Sequence, residues 1–226
     1  PRLGRSHARM ILADDASPAI KPAKVRVPNA VRSARMRKKL IQATIDCLYR
    51  YGYHATSTNV VIAHAGVSRG ALLHQFSTKA DLMIATSEYI REHRREAHAK
   101  GLERVTDPRE QLDKLVDILW AEMKDPTGVA RIEIMLGSRS DPEFADRFSA
   151  LNAELEQVHK DRMWVRAQAI GFTDRKLVDA LTQLYAAALR GLAIDATQGR
   201  ASPDIEAAVQ LMKRYHRLLV ADEVGG

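Results

Sequence analysis

Apolar residues recur every three to four positions along most of the chain from Ser33 onward, which is the period of one face of an α-helix. In the first such stretch, one face carries Leu40, Cys47 and Leu48, and Gly52 follows as a helix terminator. The same period predicts further helices at about 57–65, 68–76, 79–100, 108–124, 127–139, 142–170, 174–198 and 203–221. No run of alternating β-branched residues predicts a strand, so the pattern indicates an all-α fold.

Aspartate or serine followed by proline marks the start of four later helices. The pairs are Asp107-Pro108, Asp125-Pro126, Asp141-Pro142 and Ser202-Pro203. The first residue of each pair can cap the helix, and proline fits the first helical position.

Residues 1–32 differ from the rest because they have no sustained apolar period and contain prolines among scattered basic residues. We predict a basic, mostly disordered arm. Two interpretations of this arm stay open: a plain tail, or an extension that enters the adjacent minor groove of DNA.

The segment Ala65-Gly66-Val67-Ser68 lies between two short predicted helices. Gly66 can adopt the left-handed conformation that ends the first helix, and Ser68 can cap the second. Five apolar residues are placed to hold the two helices together: Val61, Ala65, Val67, Leu72 and Phe76. The pattern favours a helix-turn-helix, although the turn alone is equally typical of an ordinary helix-loop-helix.

The charge of +7 is unevenly distributed. Residues 1–80 contain fourteen Lys and Arg against three acids, residues 81–226 contain 21 against 25, and no acid lies between Asp46 and Asp81. This distribution indicates a nucleic-acid-binding module joined to an acidic part that does not contact the nucleic acid. A single cysteine, Cys47, excludes an internal disulfide framework and fits a reducing cytoplasm, and it is interpreted as a core residue. No stretch approaches the roughly 20 consecutive apolar residues of a membrane span, and no metal site or cofactor is predicted.

The second helix of the predicted motif carries side chains suited to reading DNA. Arg69 can pair bidentately with guanine, while Ser68, His74 and Gln75 can bond to base edges or phosphates. Gly70 has no side chain and would let the backbone approach the groove closely.

Three segments at 52–57, 65–72 and 74–82 together resemble the DNA-binding domain of the TetR family of regulators, over about residues 34–90. The resemblance implies that Thr56 and Ser57 contact phosphate, that residues 68–74 form the recognition surface, and that Lys79 holds phosphate. The full set of predicted DNA contacts is Thr56, Ser57, Thr58, Ser68, Arg69, Gly70, Ala71, Leu73, His74, Gln75 and Lys79. Leu73 departs from the usual tyrosine and Ile62 from the usual small alanine, so the operator cannot be inferred from relatives.

The resemblance divides the chain into the arm 1–32, a DNA-binding domain 33–90 with three helices, and a larger helical ligand-binding and dimerisation domain 91–226. The predicted helices 174–198 and 203–221 carry broad apolar faces that could form a four-helix bundle in a homodimer, although intramolecular packing would also use them. Large or polar residues in apolar helices are candidates for a pocket that binds an apolar small-molecule effector with an acidic group: Trp120, Met123, Arg131, Glu133, Met135, Arg139, Trp164 and Tyr185. Histidines such as His93 and His98, and the run Arg91, Arg94 and Arg95, are interpreted as solvated helix faces.

These observations predict a cytoplasmic, sequence-specific regulator of transcription that a small molecule releases from a palindromic operator. An architectural DNA binder without sequence preference is the first alternative. The second is a helical enzyme, since residues 66–70 match the G-x-S-x-G pattern of hydrolases. That pattern requires a preceding strand, which the helical period here excludes.

Overall fold

The computed structural model describes residues 28–198 and 203–225. Within these ranges it contains nine α-helices, one short 3-10 helix and no strand, which confirms the predicted all-α fold. The α-helices are α1 (Asn29–Ala55), α2 (Thr58–Ala65), α3 (Arg69–Leu73), α4 (Lys79–Leu102), α5 (Pro108–Lys124), α6 (Pro126–Gly137), α7 (Pro142–Ala169), α8 (Arg175–Thr197) and α9 (Pro203–Gly225). The 3-10 helix spans Ser138–Ser140, between α6 and α7. Most of the predicted arm, residues 1–27, lies outside the described residues.

Several helix ends differ from the sequence prediction, among them the end of α9, which lies at Gly225 rather than near residue 221. The first helix begins at Asn29, directly after Pro28, rather than at Ser33. The second helix of the turn motif ends at Leu73 rather than near residue 76, because the following turn carries Phe76 into the core, where 2% of it is exposed. Gly52 breaks the helical conformation with a φ of +75°, which favours glycine, but α1 continues to Ala55 rather than ending at Gly52 as predicted.

The predicted caps at the later helices are present. Asp107, Asp125 and Asp141 each accept a hydrogen bond from a backbone N–H in the first turn of α5, α6 and α7, and proline follows each of them. Helix α4 begins with a reciprocal capping box between Thr78 and Asp81. Ser202 lies outside the described residues.

The largest core joins the N-terminal helices to the rest of the molecule. It contains the buried faces of α1 to α4 together with Ala130 and Ile134 of α6 and Phe144 and Phe148 of α7. Cys47 lies in this core with no exposed surface, and burial raises the pKa of its thiol. Helix α6 therefore packs directly against α1 and α4, the helices on either side of the turn motif.

Two further apolar clusters lie among α5, α7, α8 and α9. One surrounds Leu112 and Phe172, and the other surrounds Trp120 and Leu189. Among the described helices, α8 alone is long and apolar enough to cross a membrane, with a mean hydropathy of 1.3 over its most apolar window. Length and composition do not distinguish a spanning helix from one whose apolar face packs against protein.

Candidate nucleic-acid interface and ligand cavity

The turn between α2 and α3 has the local geometry of a helix-turn-helix. Ser57 caps α2 by accepting a hydrogen bond from the Val60 N–H at 3.3 Å, and Gly66 ends it in the left-handed conformation with a φ of +60°. Ser68 then caps α3 by accepting from the Ala71 N–H at 3.2 Å. The five predicted apolar contacts all lie on the core side: Val61, Ala65, Leu72 and Phe76 are buried, and Val67 packs against them.

The outer face of α3 is exposed and carries no acid. Ser68, Arg69, Gly70 and His74 are exposed, and Leu73 has 49% of its surface exposed. Ala71 is partly buried. These are the recognition residues that the sequence predicts, and they share the surface opposite to the buried Leu72.

Gln75 lies at the edge of this surface and is attached to α1. Its Nε2 donates to Ser33 Oγ at 2.9 Å, and Arg37 donates to its carbonyl oxygen at 3.4 Å. The Arg37 guanidinium also lies 4.5 Å from the centre of the Phe76 ring. This arrangement fixes the end of α3 relative to α1.

Gly70 has no intramolecular reason to be glycine. A Cβ built there would meet only Ser68 Oγ, at 4.0 Å, and the residue lies in the helical region on the exposed face. Space for a side chain is therefore available in the free protein, and any closer contact must come from a partner.

The residues expected to contact phosphate fall into two groups. Ser57 is exposed and Thr58 is partly exposed at the N-terminus of α2, where backbone N–H groups favour an anion. The side chain of Thr56 is fully buried, and its hydroxyl donates to the Gly52 carbonyl at 2.7 Å, so it has no free hydroxyl for a phosphate. Lys79 is partly buried and donates to the Tyr53 carbonyl at 3.1 Å, and burial lowers its pKa.

Tyr53 joins the turn motif to α6 and α7, a role that the sequence pattern does not reveal. Its backbone N–H donates to the Glu133 carboxylate at 2.9 Å, and its hydroxyl donates to Asp141 at 3.1 Å. Burial and the nearby Asp141 raise the pKa of Tyr53, so its hydroxyl remains a donor. The ring packs so closely on Gly137 that a Cβ there would lie 2.0 Å from it.

A second contact joins α4 to α7. Arg147 donates to the Asp81 carboxylate at 2.9 Å, and this bond together with the capping bonds from Thr78 holds the pKa of Asp81 below 3.8. Asp81 therefore fixes the start of α4 both within its own helix and against the C-terminal part of the chain.

A cavity of about 520 Å³ lies among α4, α5, α6, α7 and α8. Four predicted pocket residues line it: Met123, Arg131, Met135 and Tyr185. Its walls also carry groups that the sequence interpretation missed: Arg94, His98, His159 and Arg190. Arg94 and His98 were wrongly interpreted as solvated, because helical periodicity identifies a face without identifying what covers it.

The other pocket candidates lie elsewhere. Trp120 packs in the cluster around Leu189, and its indole N–H donates to Glu206 at 3.1 Å. Trp164 packs in the neighbouring cluster, and Arg139 is exposed in the 3-10 helix. Glu133 points to Tyr53. These corrections share one cause: the contacts are long-range and depend on how α5, α7 and α9 pack.

The charged groups of the cavity are unequally paired. Glu122 accepts a hydrogen bond from Arg94 Nε at 2.9 Å and lies 3.0 Å from His98 Nε2. Arg131 donates to the Met123 sulfur at 3.8 Å, and its Nε is buried without a hydrogen-bond partner. Burial, together with Arg94 and Arg190, lowers the pKa of Arg131 to about 9.

Helices α8 and α9 expose an apolar groove on the far side of the molecule. Its walls include Leu184, Leu211, Tyr215 and Leu218, each more than half exposed in the single chain. Ala187, Ala188 and Gly191 line the same groove and would allow another helix to approach closely.

Comparison with known proteins shows which part of this chain is similar to bacterial regulatory proteins. The family model of bacterial regulatory proteins, tetR family, matches residues 40–86. An uncharacterized HTH-type transcriptional regulator of Mycobacterium tuberculosis is 31% identical over 48% of this chain, and the chain spans 55% of its length. The HTH-type regulator CymR of Pseudomonas putida is 25% identical over 73% of this chain and 81% of its own. An HTH-type transcriptional repressor of M. tuberculosis is 25% identical over 81% of this chain and 94% of its own.

Solved structures share the fold over a longer range. A TetR-family transcriptional regulator from Rhodococcus matches with a TM-score of 0.65 at 21% identity, covering 85% of this chain and all of its own. A transcriptional regulator from Saccharomonospora viridis in complex with choline matches with a TM-score of 0.63 at 16% identity, covering 80% and 95%. The likeness extends beyond the turn motif through the helices that surround the cavity.

Proposed function

We propose that this chain, which belongs to the TetR family of bacterial regulatory proteins through its DNA-binding domain, is a homodimeric repressor that a small molecule releases from a palindromic operator. The observation that carries the proposal is the exposed, acid-free face of α3, held rigidly by buried contacts on its other side. We place this activity in the cytoplasm, where both DNA and small effectors are available.

The face of α3 has the chemistry of a major-groove reader. Arg69 supplies two parallel donors for guanine, and His74 supplies a donor or acceptor at the other end of the helix. The exposed Leu73 offers an apolar contact for a thymine methyl, which gives a reason for a large apolar side chain in water at this position. The N-terminus of α2, with Ser57 and Thr58, would hold the neighbouring phosphate.

The groove between α8 and α9 supports the dimer. A two-fold axis through this groove would cover Leu184, Tyr215 and Leu218, which otherwise expose apolar surface to water. The resulting four-helix bundle would present two copies of α3 to successive major grooves, about 34–36 Å apart.

Two helices can couple the cavity to the DNA-reading surface. Helix α6 presents Arg131 to the cavity and Glu133 to the N–H of Tyr53, which lies four residues before Ser57, the cap of α2. Helix α4 begins beside the turn motif and carries Arg94 into the cavity. A ligand that shifts either helix would change the separation of the two α3 copies, and a nearly complete population swing needs about 5.5 kcal/mol of differential affinity.

The enzyme alternative has little support. Ser68, which would be the hydrolase nucleophile, is the cap of α3 and accepts from the Ala71 N–H, and a helix rather than a strand precedes it.

Fluorescence anisotropy with operator duplexes tests the DNA-binding part of the proposal. Arg69→Ala should weaken specific binding by about 1–3 kcal/mol and relax the preference at one base position in each half-site. Arg109→Ala removes an exposed arginine of α5 and serves as the matched control, with no expected loss. Equal affinity of the wild type for operator and random duplexes, with the same steep salt dependence, would favour the architectural alternative.

A further inference from the structure

The cavity holds a buried excess of positive charge beside an apolar wall. We infer that it binds an amphipathic monocarboxylate, with the carboxylate on Arg131 and the apolar body along α5 and α7. The inference rests on the proposed function only in treating this cavity as the effector site.

Arg131 is the anchor because no carboxylate of the described residues is hydrogen-bonded to its guanidinium, although Glu122 lies near enough to raise its pKa. Its Nε is buried and has no hydrogen-bond partner, and a thioether sulfur at 3.8 Å is a weak acceptor. Buried arginines are normally paired with carboxylates, since an unpaired buried charge is costly. The planar guanidinium fits a carboxylate through two parallel hydrogen bonds.

A carboxylate beside this cluster, that of Glu122, is already engaged. Glu122 binds both Arg94 and His98, and Nε of Arg190 is another buried donor without a partner. Among the residues that line the cavity, seven Lys and Arg outnumber the three acids, Glu92, Glu154 and Glu156. Such a site favours a ligand with a negative charge and disfavours a cationic one.

The lowered pKa of His159 is a second sign of the positive electrostatic field in the cavity. Burial and the surrounding Arg94, His98, Arg166 and Arg131 lower the pKa of His159 to about 4, so its imidazole is neutral near pH 7. A bound carboxylate would raise the pKa of His159 and that of Arg131, since an opposite charge favours the protonated form.

The cavity also has an apolar wall that can accommodate a hydrocarbon body. Leu112, Leu115, Val116, Phe148 and Leu155 line it. Its volume of about 520 Å³ lies within the range of about 300–1,000 Å³ that small-molecule sites occupy. A charged end and an apolar wall in one cavity specify an amphiphile rather than a fully polar anion.

Three probes that share a ten-carbon alkyl tail and differ in their head group test the inference. They are decanoate, decan-1-ol and decyltrimethylammonium, each used below its micellar concentration. Isothermal titration and thermal unfolding of the whole chain, without DNA, should show binding of decanoate at least about tenfold tighter than of the other two compounds. Equal binding of decanoate and decanol, tighter binding of the ammonium, or no binding of decanoate would overturn the inference.

Arginine variants locate the head group. Arg131→Met should remove the preference for decanoate over decanol, whereas Arg131→Lys, which keeps the charge, should retain a reduced preference. Arg139→Met is the matched control, because Arg139 is exposed outside the cavity, and it should bind as the wild type does. If Arg131→Met does not fold, the Arg131→Lys comparison decides, and an unchanged preference in every folded Arg131 variant would refute the assignment.

Separate experiments test the ligand assignment and the proposed function, so either can be refuted without the other. Operator binding without decanoate tests the regulator, and decanoate binding without operator tests the cavity. Decanoate that binds but leaves operator affinity unchanged would contradict release by this ligand and leave the assigned site standing.

Discussion

Replacing Gly70 by alanine should stabilise the folded protein and lower its affinity for operator DNA. The new Cβ would face open space, with Ser68 Oγ at 4.0 Å as its nearest neighbour, so no intramolecular clash opposes it. Alanine is favoured over glycine by about 0.8–1 kcal/mol inside a helix. Because α3 spans only Arg69–Leu73, we expect a gain of about half that, or a rise of roughly 1–2 °C in Tm.

The DNA side of the same substitution has the opposite sign. If the backbone at Gly70 meets the duplex, the methyl must push α3 outward and loosen contacts such as that of Arg69, each worth about 1–3 kcal/mol. Operator affinity should then fall at least about tenfold, measured by anisotropy beside calorimetric unfolding. Unchanged affinity would refute the close approach of α3 to DNA, and a lowered Tm would refute the local geometry.

Gly66→Ala is the contrasting substitution. Its Cβ also meets nothing within 4 Å, but the φ of +60° makes any side chain strained. We expect a loss of about 1–2 kcal/mol in the free energy of unfolding, with no steric conflict at the DNA. A stability equal to that of the wild type would contradict the left-handed turn.

Three further results are expected. Gly137→Ala would place a methyl inside the Tyr53 ring and should lower the free energy of unfolding by about 3 kcal/mol or more in denaturant titrations, so an unchanged midpoint would contradict this packing. Leu184→Glu should convert the dimer to a monomer in light scattering, whereas Val165→Glu, at a residue 65% exposed on α7, should not, and a dimer in both variants would exclude the groove as the interface. The lowered pKa of Asp81 adds stability that is complete well above pH 3.8 and is lost as the pH falls through the folded-state pKa. Asp81→Asn should remove this part of the acid dependence of Tm, and an unaltered pH profile would show that the carboxylate contributes nothing.

Features that depend on neighbouring residues in the sequence were predictable. Asp125-Pro126 and Gly66 followed by Ser68 determine their helix ends through local hydrogen bonds, and the structure has them as expected. The motifs between residues 52 and 82 were specific enough for the family resemblance to be confirmed. These signals act over a few residues, so tertiary packing does not override them.

Features that depend on contacts between residues far apart in the sequence could not be predicted from the sequence. Thr56 and Lys79 carry residue types suited to phosphate, yet the break at Gly52 places both side chains against the backbone of α1. Arg94 lies on a face with exposed charges, and only the packing of α5 onto α4 turns it into a cavity group. Tyr53 gains its hydrogen bonds to Glu133 and Asp141 from segments that lie more than 75 residues further along the chain.

Selection of bound duplexes from a random-sequence library tests the central claim most directly, because it measures sequence preference, symmetry and spacing together. We expect an inverted repeat whose half-sites are about one helical turn apart, or a multiple of it, with a preference for guanine at one position that Arg69→Ala relaxes. Recovery of sequences without a common motif, or of a motif that Arg69→Ala leaves unchanged, would contradict the claim that α3 reads DNA.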